Sequence, residues 1–420
     1  MDLFRFRLVS LNIEAILQEP TIYRRRERLS KIADGLGLGG AYGVTIERIK
    51  AQGGNKSRLG IQALMWMSHA KRPLTADELC HALAVDLGST KFNENNIPSL
   101  STLVVCCQGL ITVDLEASTV KLIHFTIQEY LSSNPHIFGE PHTAMAEICL
   151  TYLKSKQAKA ISADTSPISL NKSFLEYCSV FWGVHAKRGL SAHATSLALE
   201  LFQEYDDHIS TKLLLERVEH LRPLDIGTNF GQRFWFTGLH CASFFGIVDL
   251  VAPLIGMESY DVNEGDFGGH TPLIWAACNG HSEAVKMLLG LEEVKPDAPN
   301  IWGNTPLAYA AANGHEEVVK ILLERQDVDP NKPNHSGQTP LSQAACSGHE
   351  GVVNILLGRE EVNPDKADCY GRRPLARAYE NGHEGVVRIL LGLKKVNLKE
   401  PNSSGQTALM SAAGHGHKRV

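Results

Sequence analysis

The sequence predicts a mainly α-helical protein, in which a winged helix and helical hairpins are followed by a repeat solenoid. A frame of 34 residues recurs in the C-terminal half, as the spacing of Thr271, Thr305 and Thr339 shows. Helical periodicity precedes a predicted two-stranded hairpin in the N-terminal half. Four regions result, which are 1–57 (a tail and linker), 58–135 (the winged helix), 136–235 (a helical linker) and 236–420 (about five and a half repeats).

Length and composition limit the possible classes of function. A chain of 420 residues is too long for one ordinary core, so two or three domains are expected. The formal net charge of −5 gives no electrostatic reason to expect nucleic acid or a membrane as partner. No apolar run reaches the roughly 18 residues of a membrane span, and no signal peptide is evident. Nine cysteines without a C-x-x-C pair are typical of reduced thiols in a cytoplasmic protein.

A glycine-rich stretch near the N-terminus suggests a nucleotide site at first sight. Gly35, Gly37 and Gly40 have G-x-G-x-x-G spacing, which in dinucleotide-binding proteins joins a buried strand to a helix. Here a charged, helix-type run precedes the glycines. In the later segment GGNKS, Asn55 stands where a phosphate loop needs glycine before lysine. We therefore interpret the first stretch as a loop and GGNKS as a turn, and we expect no cofactor.

The repeat frame reads T-P-L-x-x-A-A-x-x-G-H-x-x-x-V-x-x-L-L. Each copy predicts two short amphipathic helices, because Thr-Pro starts the first one, Gly ends it, and paired Val and Leu form the buried stripe of the second. Copies start at 237, 271, 305, 339, 373 and 407, and the last stops after Gly416-His417. This pattern resembles the ankyrin repeat. The resemblance implies a solenoid that binds other proteins through its concave face and its extended fingers.

Differences between the copies identify candidate binding residues. Framework positions stay nearly constant, whereas the fourth position after each frame Thr or Arg differs in every copy. Packing does not demand this variation, so selection for a partner could act there, and aromatic and Arg side chains often anchor interfaces. The alternative is that these side chains shield the neighbouring fingers. With the eighth position added, the predicted protein-binding residues are Trp275, Asn279, Tyr309, Asn313, Gln343, Ser347, Arg377 and Asn381.

The Gly-His pair of each copy imitates a zinc motif. In three copies Glu follows the histidine, as in H-E-x-x-H, but Val319, Val353 and Val387 occupy the place of the second ligand. We interpret these histidines as structural residues at the start of the second helix, with Glu complementing the helix dipole. No metal is expected.

The order of predicted helices and strands in residues 58–135 indicates a winged helix. Thr75 and Glu78 form a capping box for a helix over 76–85, a further helix lies near 98–108, and two alternating strands near 110–123 form the wing.

A DNA-reading winged helix needs basic residues on its recognition helix and wing. The helix before the wing has none, and the wing carries Asp114 and Glu116 against a lone Lys121. We interpret the domain as an intramolecular packing module, and a DNA-binding regulator is the weaker alternative.

The phrases SHAKRPLTADELCHALAV and GLITVDLEASTVKLIHFTIQEYLSS resemble the segment after the NACHT nucleotide-binding module of large fungal receptor-like NTPases. That segment is named after the winged helix of inositol-deacylase proteins. Residues 1–57 are similar to the tail of the NACHT module and its linker. The resemblance implies that this chain is the C-terminal sensor-and-regulator portion of an NLR-like (STAND) receptor. The phosphate loop of that family lies upstream of this chain, so we expect a fragment, a truncated gene model or a paralogue that lost it.

The same resemblance points to His124. In related switch proteins a histidine after the wing senses the phosphate of the nucleotide. His124 takes the matching place, with Phe125-Thr126 instead of the family's Asp. This implies a vestigial or trans sensing role, and the alternative is a structural histidine.

No enzyme constellation is present in the sequence, since no Ser has Gly at both −2 and +2. The favoured function is a non-catalytic protein–protein interaction and regulatory protein in the cytoplasm, with other proteins as partners and self-association left open. The rival is a component of a P-loop NTPase switch whose nucleotide-binding part lies upstream or acts in trans.

Overall fold

The computed structural model describes the whole chain except residues 1–19, 34–37, 90, 115, 117, 157, 160–173, 204, 206–207, 218–234, 394–395, 398–399, 408–409 and 411–420. The chain divides into two compact units, residues 1–197 with 213–221 and residues 198–212 with 222–420. Gly35 and Gly37, which we interpret as part of a loop, lie outside the described residues. The last Gly-His pair, Gly416-His417, also lies outside them.

The first unit contains helices and one two-stranded sheet. Its helices are α1 (Ile22–Ala33), α2 (Leu38–Ala51), α3 (Gly54–His69), α4 (Ala76–Leu83), α5 (Leu100–Cys106), α6 (Phe125–Ser133), α7 (Pro141–Leu153) and α8 (Phe174–Ala186). Helices α9 (Ala192–Phe202) and α10 (Ile209–Arg217) have residues in both units. Strands β1 (Ile111–Asp114) and β2 (Thr119–Leu122) pair antiparallel, with Ile111 opposite Leu122, which confirms the predicted wing.

Two expectations about the early glycines are corrected. Gly40 lies inside α2 rather than in a loop. The turn predicted over GGNKS is shorter than expected, because Gly53 adopts a left-handed φ of 70° and α3 starts at once with Gly54. Glycine makes the sharp reversal between α2 and α3 possible, and Asn55 and Lys56 then form the first turn of α3.

The capping box at the start of α4 is confirmed. The Glu78 amide donates to Thr75 Oγ1 at 3.2 Å, and the Thr75 amide donates to Glu78 Oε2 at 2.9 Å. Glu78 is buried and also accepts two hydrogen bonds from Arg72 at 2.8 and 2.6 Å. The cap therefore also anchors the loop between α3 and α4.

A chain of polar contacts, buried at Tyr177 and His185 and exposed at Arg188, connects α7 to α8. Arg188 Nη1 lies 3.0 Å from His142 Nε2, His142 Nδ1 lies 2.8 Å from His185 Nδ1, and His185 Nε2 lies 2.9 Å from the Tyr177 hydroxyl. Arg188 can only donate, so His142 accepts at Nε2 and carries its proton on Nδ1. His142 Nδ1–H then donates to His185 Nδ1. His185 therefore carries its own proton on Nε2, which faces the Tyr177 hydroxyl. Burial, followed by nearby positive charges, lowers the pKa of His142 to about 4 and that of His185 to about 3.

The second unit is a series of helix pairs. Its pairs are α11 (Gly238–Phe245) with α12 (Val248–Ile255), α13 (Pro272–Cys278) with α14 (Ser282–Leu289), α15 (Pro306–Ala312) with α16 (Glu316–Leu323), α17 (Pro340–Ser347) with α18 (Glu350–Leu357), and α19 (Pro374–Glu380) with α20 (Glu384–Leu391). Thr305 Oγ1 accepts the amide hydrogen of Ala308 at 3.2 Å, which confirms the Thr cap, and Pro306 follows at the first helical position.

The Gly-His pair joins one copy to the next. His315 Nε2 lies 2.9 Å from the Cys278 carbonyl oxygen of the preceding copy, and His349 Nε2 lies 3.0 Å from that of Ala312. A carbonyl only accepts, so Nε2 carries the proton. Gly314 has φ 77°, and a Cβ there would lie 2.6 Å from His349 Nδ1. Glycine is therefore required both for the helix end and for room beside the next histidine, which agrees with a structural role of these histidines.

Candidate functional site

Each finger of the second unit ends in a five-residue turn, which we call a fingertip. The fingertips are residues 266–270, 300–304, 334–338, 368–372 and 402–406. The first residue of each holds the turn with its side chain. Asn300 Oδ1, for example, accepts the amide hydrogens of Trp302 at 3.1 Å and Asn304 at 2.9 Å. Asp and Asn are favoured in such turns because their side chains satisfy nearby backbone donors.

Backbone hydrogen bonds connect successive fingertips in one row. The Ile301 amide donates to the Gly268 carbonyl at 3.1 Å, and the His335 amide donates to the Trp302 carbonyl at 2.9 Å. The Cys369 amide continues the pattern with a 3.0 Å bond to the Ser336 carbonyl. These bonds fix the distance between the central residues of one fingertip and those of the next.

The fingertips expose large apolar side chains. Phe267 is 41% exposed, Ile301 50%, Trp302 41% and Tyr370 59%. Exposed apolar side chains that cluster on one surface commonly mark an interaction site. These four residues were not among the predicted binding residues, although the fingers were expected to contribute. The signal was present in the sequence, since the second and third fingertip residues read FG, IW, HS, CY and SS and differ in every copy.

Trp275 is a correction to the sequence-based prediction. Its side chain is buried, with 2% of the residue exposed, and Nε1–H donates to Asp266 Oδ2 at 3.0 Å. Its ring also packs against Phe236 and Phe244, with centroids 5.6 and 5.3 Å away. Trp275 therefore supports the fingertip from below and does not present its ring to a partner.

Tyr309 supports the next fingertip in a similar way. Asn300 Nδ2 donates to the Tyr309 hydroxyl at 2.9 Å, and that hydroxyl lies 3.1 Å from His270 Nε2. His270 Nδ1 donates to Asp266 Oδ1 at 3.0 Å, so the neutral ring accepts the Tyr309 proton at Nε2. Burial raises the pKa of Tyr309 to about 12. Tyr309 is half-buried and links two fingertips.

Gln343 and Arg377 continue this layer beneath the fingertips. Gln343 Nε2 donates to Asn304 Oδ1 at 2.8 Å. Arg377 Nε lies 3.8 Å from Asp368 Oδ2, and both side chains are largely buried. The geometry of all four residues at this repeat position thus agrees with the alternative interpretation, in which they support the fingers.

The residues at the eighth position lie at the C-terminal ends of the first helices. Asn279 Nδ2 donates to the Trp275 carbonyl at 3.0 Å, Asn313 Nδ2 to the Cys278 carbonyl at 3.0 Å, and Asn381 Nδ2 to the Arg377 carbonyl at 3.0 Å. These amides give a further donor to carbonyls at the helix ends, which also accept a backbone amide or the histidine of the next copy. Ser347 and Asn381 are exposed, and Asn279 and Asn313 are half-buried.

His124 caps α6. Its Nδ1 accepts the amide hydrogen of Thr126 at 3.3 Å and lies 2.8 Å from Thr126 Oγ1, which in turn lies 2.8 Å from the buried Tyr42 hydroxyl. This cap gives His124 a structural role, whatever else it contacts.

The described residues contain no group of three or more His, Cys, Asp or Glu side chains placed to hold a metal ion. Within the same part of the chain, no helix is both long and apolar enough to cross a membrane.

Comparisons with known families agree with both units. A family model described as "Ankyrin repeats (3 copies)" matches residues 207–300, 239–334, 288–368, 326–400 and 360–420, which together span slightly more than half of the 420-residue chain. A second model, described as "GPI inositol-deacylase, winged helix domain", matches residues 47–140. A search of curated proteins gives no match.

Proposed function

Because the chain belongs to the family of ankyrin-repeat proteins, we propose that it is a non-catalytic interaction protein that binds another protein through its fingertips and the concave face beside them. Ankyrin repeats serve protein–protein binding.

The observation that carries this proposal is the row of exposed apolar fingertip residues. Phe267, Ile301, Trp302 and Tyr370 project from a backbone that is hydrogen-bonded from one fingertip to the next. A partner that covers them removes apolar surface from water, which contributes roughly 25 cal/mol for each Å². The fixed backbone lowers the entropy lost on binding.

The predicted residues that remain accessible extend this surface. Asn279, Asn313, Ser347 and Asn381 lie at the C-terminal ends of the helices that follow the fingertips, and three of them keep a side-chain carbonyl oxygen as an acceptor. Tyr309, Gln343 and Arg377 act mainly from the layer below, by holding the fingertips in place. Trp275 only supports a fingertip from below and is not itself part of the surface.

The first unit has a regulatory role in this proposal. The match to a winged-helix family over 47–140 supports this, together with the similarity of neighbouring segments to NACHT-type receptors. The protein would then be the C-terminal portion of an NLR-like cytoplasmic signalling receptor, whose repeats provide the recognition surface.

The second candidate function is a component of a P-loop NTPase switch, with His124 near a nucleotide supplied by another module. The position of His124 on the wall of a pocket that contains Lys71, Arg72 and Lys121 favours it. Calorimetric titration of the chain with magnesium-ATP distinguishes the candidates. The favoured function predicts no micromolar binding, whereas binding with one site per chain would establish the second.

The fingertip proposal is tested with a protein partner that has been isolated with the full chain and then purified. Replacing Ile301 by Ser and Trp302 by Ala together should weaken binding by at least about 2 kcal/mol. The matched control replaces His335 and Ser336 by Ala, at the same two positions of the next fingertip. Equal affinity of the first variant and the parent would contradict the proposal, provided that both keep the same melting temperature.

A further inference from the structure

The first unit contains an open pocket beside the wing, with a volume of about 430 Å³. It lies between the end of α3, the loop over 70–74, strand β2 and the start of α6. This volume is in the range of ordinary ligand sites. The binding function of the fingertips belongs to the other unit and does not involve this pocket.

The pocket wall is basic. Lys71, Arg72, Lys121 and His124 line it, and no Asp or Glu is among its described lining residues. Arg72 and Lys121 are held in place by carboxylates outside the pocket, Arg72 by Glu78 at 2.6 Å and Lys121 by Asp114 at 2.7 Å. A pocket with this lining favours a negatively charged occupant.

Lys71 differs from Arg72 and Lys121, because its positive charge is not paired with a carboxylate among the described residues. Its backbone amide donates to the Tyr177 hydroxyl at 3.1 Å, which fixes the chain at this point, and its side chain is exposed. Among the described residues, no carboxylate forms an ion pair with its ammonium group. A carboxylate of the bound segment would therefore meet the ammonium group of Lys71, whose backbone is already held in place.

His124 also lies on the pocket wall, in a fixed orientation. Its Nδ1 accepts from Thr126, so the proton of the neutral ring is on Nε2. Tyr42 holds Thr126 in turn, through the 2.8 Å contact between their hydroxyls. The ring at the pocket wall is thus fixed both in orientation and in tautomer.

The remaining lining is apolar. Leu74 and Val120 are buried at the pocket, and Phe125 stands at the rim with 67% of its surface exposed. The occupant therefore needs an apolar group next to its negative group. An extended nucleic acid fits poorly, because Asp114 and Glu78 lie directly behind the basic side chains and would repel further phosphates.

We propose that this pocket binds an acidic segment of a partner protein, with a carboxylate at the Lys71 ammonium group and an apolar side chain against Phe125. The segment is short, because the pocket accommodates only a few side chains.

The test uses the full chain and a phage-displayed library of random short peptides. Selection should enrich peptides that combine Asp or Glu with an aliphatic or aromatic residue. A labelled peptide from this selection is then titrated by fluorescence anisotropy. Lys71→Glu and Phe125→Ala should each weaken its binding by about tenfold or more, and binding should decrease with added salt.

Two controls separate this pocket from other sites. Lys91→Glu makes the same charge change at an exposed lysine that does not line the pocket, and Ile301→Ser changes a fingertip. Both should bind the peptide like the parent. Selected peptides without acidic residues, or unchanged binding by Lys71→Glu, would overturn the proposal. Displacement of the peptide by ATP or by duplex DNA at micromolar concentration would also overturn it, in favour of a phosphate ligand.

Discussion

Replacing Gly314 by Ala tests the joint between neighbouring copies. Gly314 has φ 77°, and this left-handed conformation costs an L-residue about 1–2 kcal/mol. The new Cβ would lie 2.6 Å from His349 Nδ1, so the ring must move. Its 3.0 Å hydrogen bond to the Ala312 carbonyl is then lost, at a cost of about 1 kcal/mol or more. We expect a destabilisation of about 2–4 kcal/mol in total.

Gly351→Ala is the matched control. Gly351 lies in α18 with an ordinary helical φ, and its new Cβ would meet only the carboxylate end of the Glu316 side chain. Glu316 is exposed and can turn away. Since Ala favours the helix over Gly by up to about 1 kcal/mol, we expect no loss of stability and a small gain.

The assay is urea unfolding of the full chain, followed by circular dichroism. With a slope of about 1–3 kcal/mol per molar, Gly314→Ala should lower the midpoint of the transition of the repeat unit by about 1 M or more. If Gly314→Ala leaves the midpoint unchanged, or if Gly351→Ala lowers it equally, the proposed joint is wrong.

Three further predictions concern residues on which the interpretation depends. Trp275→Phe should destabilise the repeat unit by about 1–3 kcal/mol, because Oδ2 of buried Asp266 loses the hydrogen bond from the indole N–H, and equal thermal stability would contradict this. Thr75→Ala should cost about 1 kcal/mol in urea unfolding through loss of the cap of α4; a neutral result would contradict that role. For His185, the pKa of about 3 in the folded chain is below the roughly 6.5 of an unfolded chain, so its stabilising effect is fully present above pH 6.5 and is lost as pH falls toward 3. Unfolding at pH 5 should therefore require about 1–2 kcal/mol less than at pH 7, and His185→Gln should reduce this difference.

Much of the repeat unit could be predicted from the sequence, because its framework residues have local reasons to be where they are. Thr305 caps, Pro306 tolerates the first helical position, and Gly314 adopts a conformation that other residues avoid. The wing was predictable for a similar reason, since alternation of side chains reports directly on two strands.

The surface was harder to predict because it depends on contacts between segments that are distant in sequence. Variation marked Trp275 correctly as unusual, but its burial follows from Phe236, Phe244 and Asp266, which lie in other parts of the unit. The exposure of Ile301 and Trp302 likewise follows from the turn that Asn300 holds together. The pocket beside His124 is lined by two stretches of chain, 66–74 and 120–128, that are distant in sequence, and no pattern of spacing reveals it.

The joints between copies have a consequence for how such an array changes in evolution. Each joint uses the glycine of the Gly-His pair in one copy, the histidine of the Gly-His pair in the next, and a backbone bond between adjacent fingertips. A recombination event that duplicates or deletes one whole 34-residue copy therefore recreates the Gly-His contact and the backbone bond at the new junction. The same event changes the order of fingertip residues, for example by moving Ile301-Trp302 next to Cys369-Tyr370. The array can thus acquire new recognition surfaces by exchange of copies while the Gly-His contact between copies is kept.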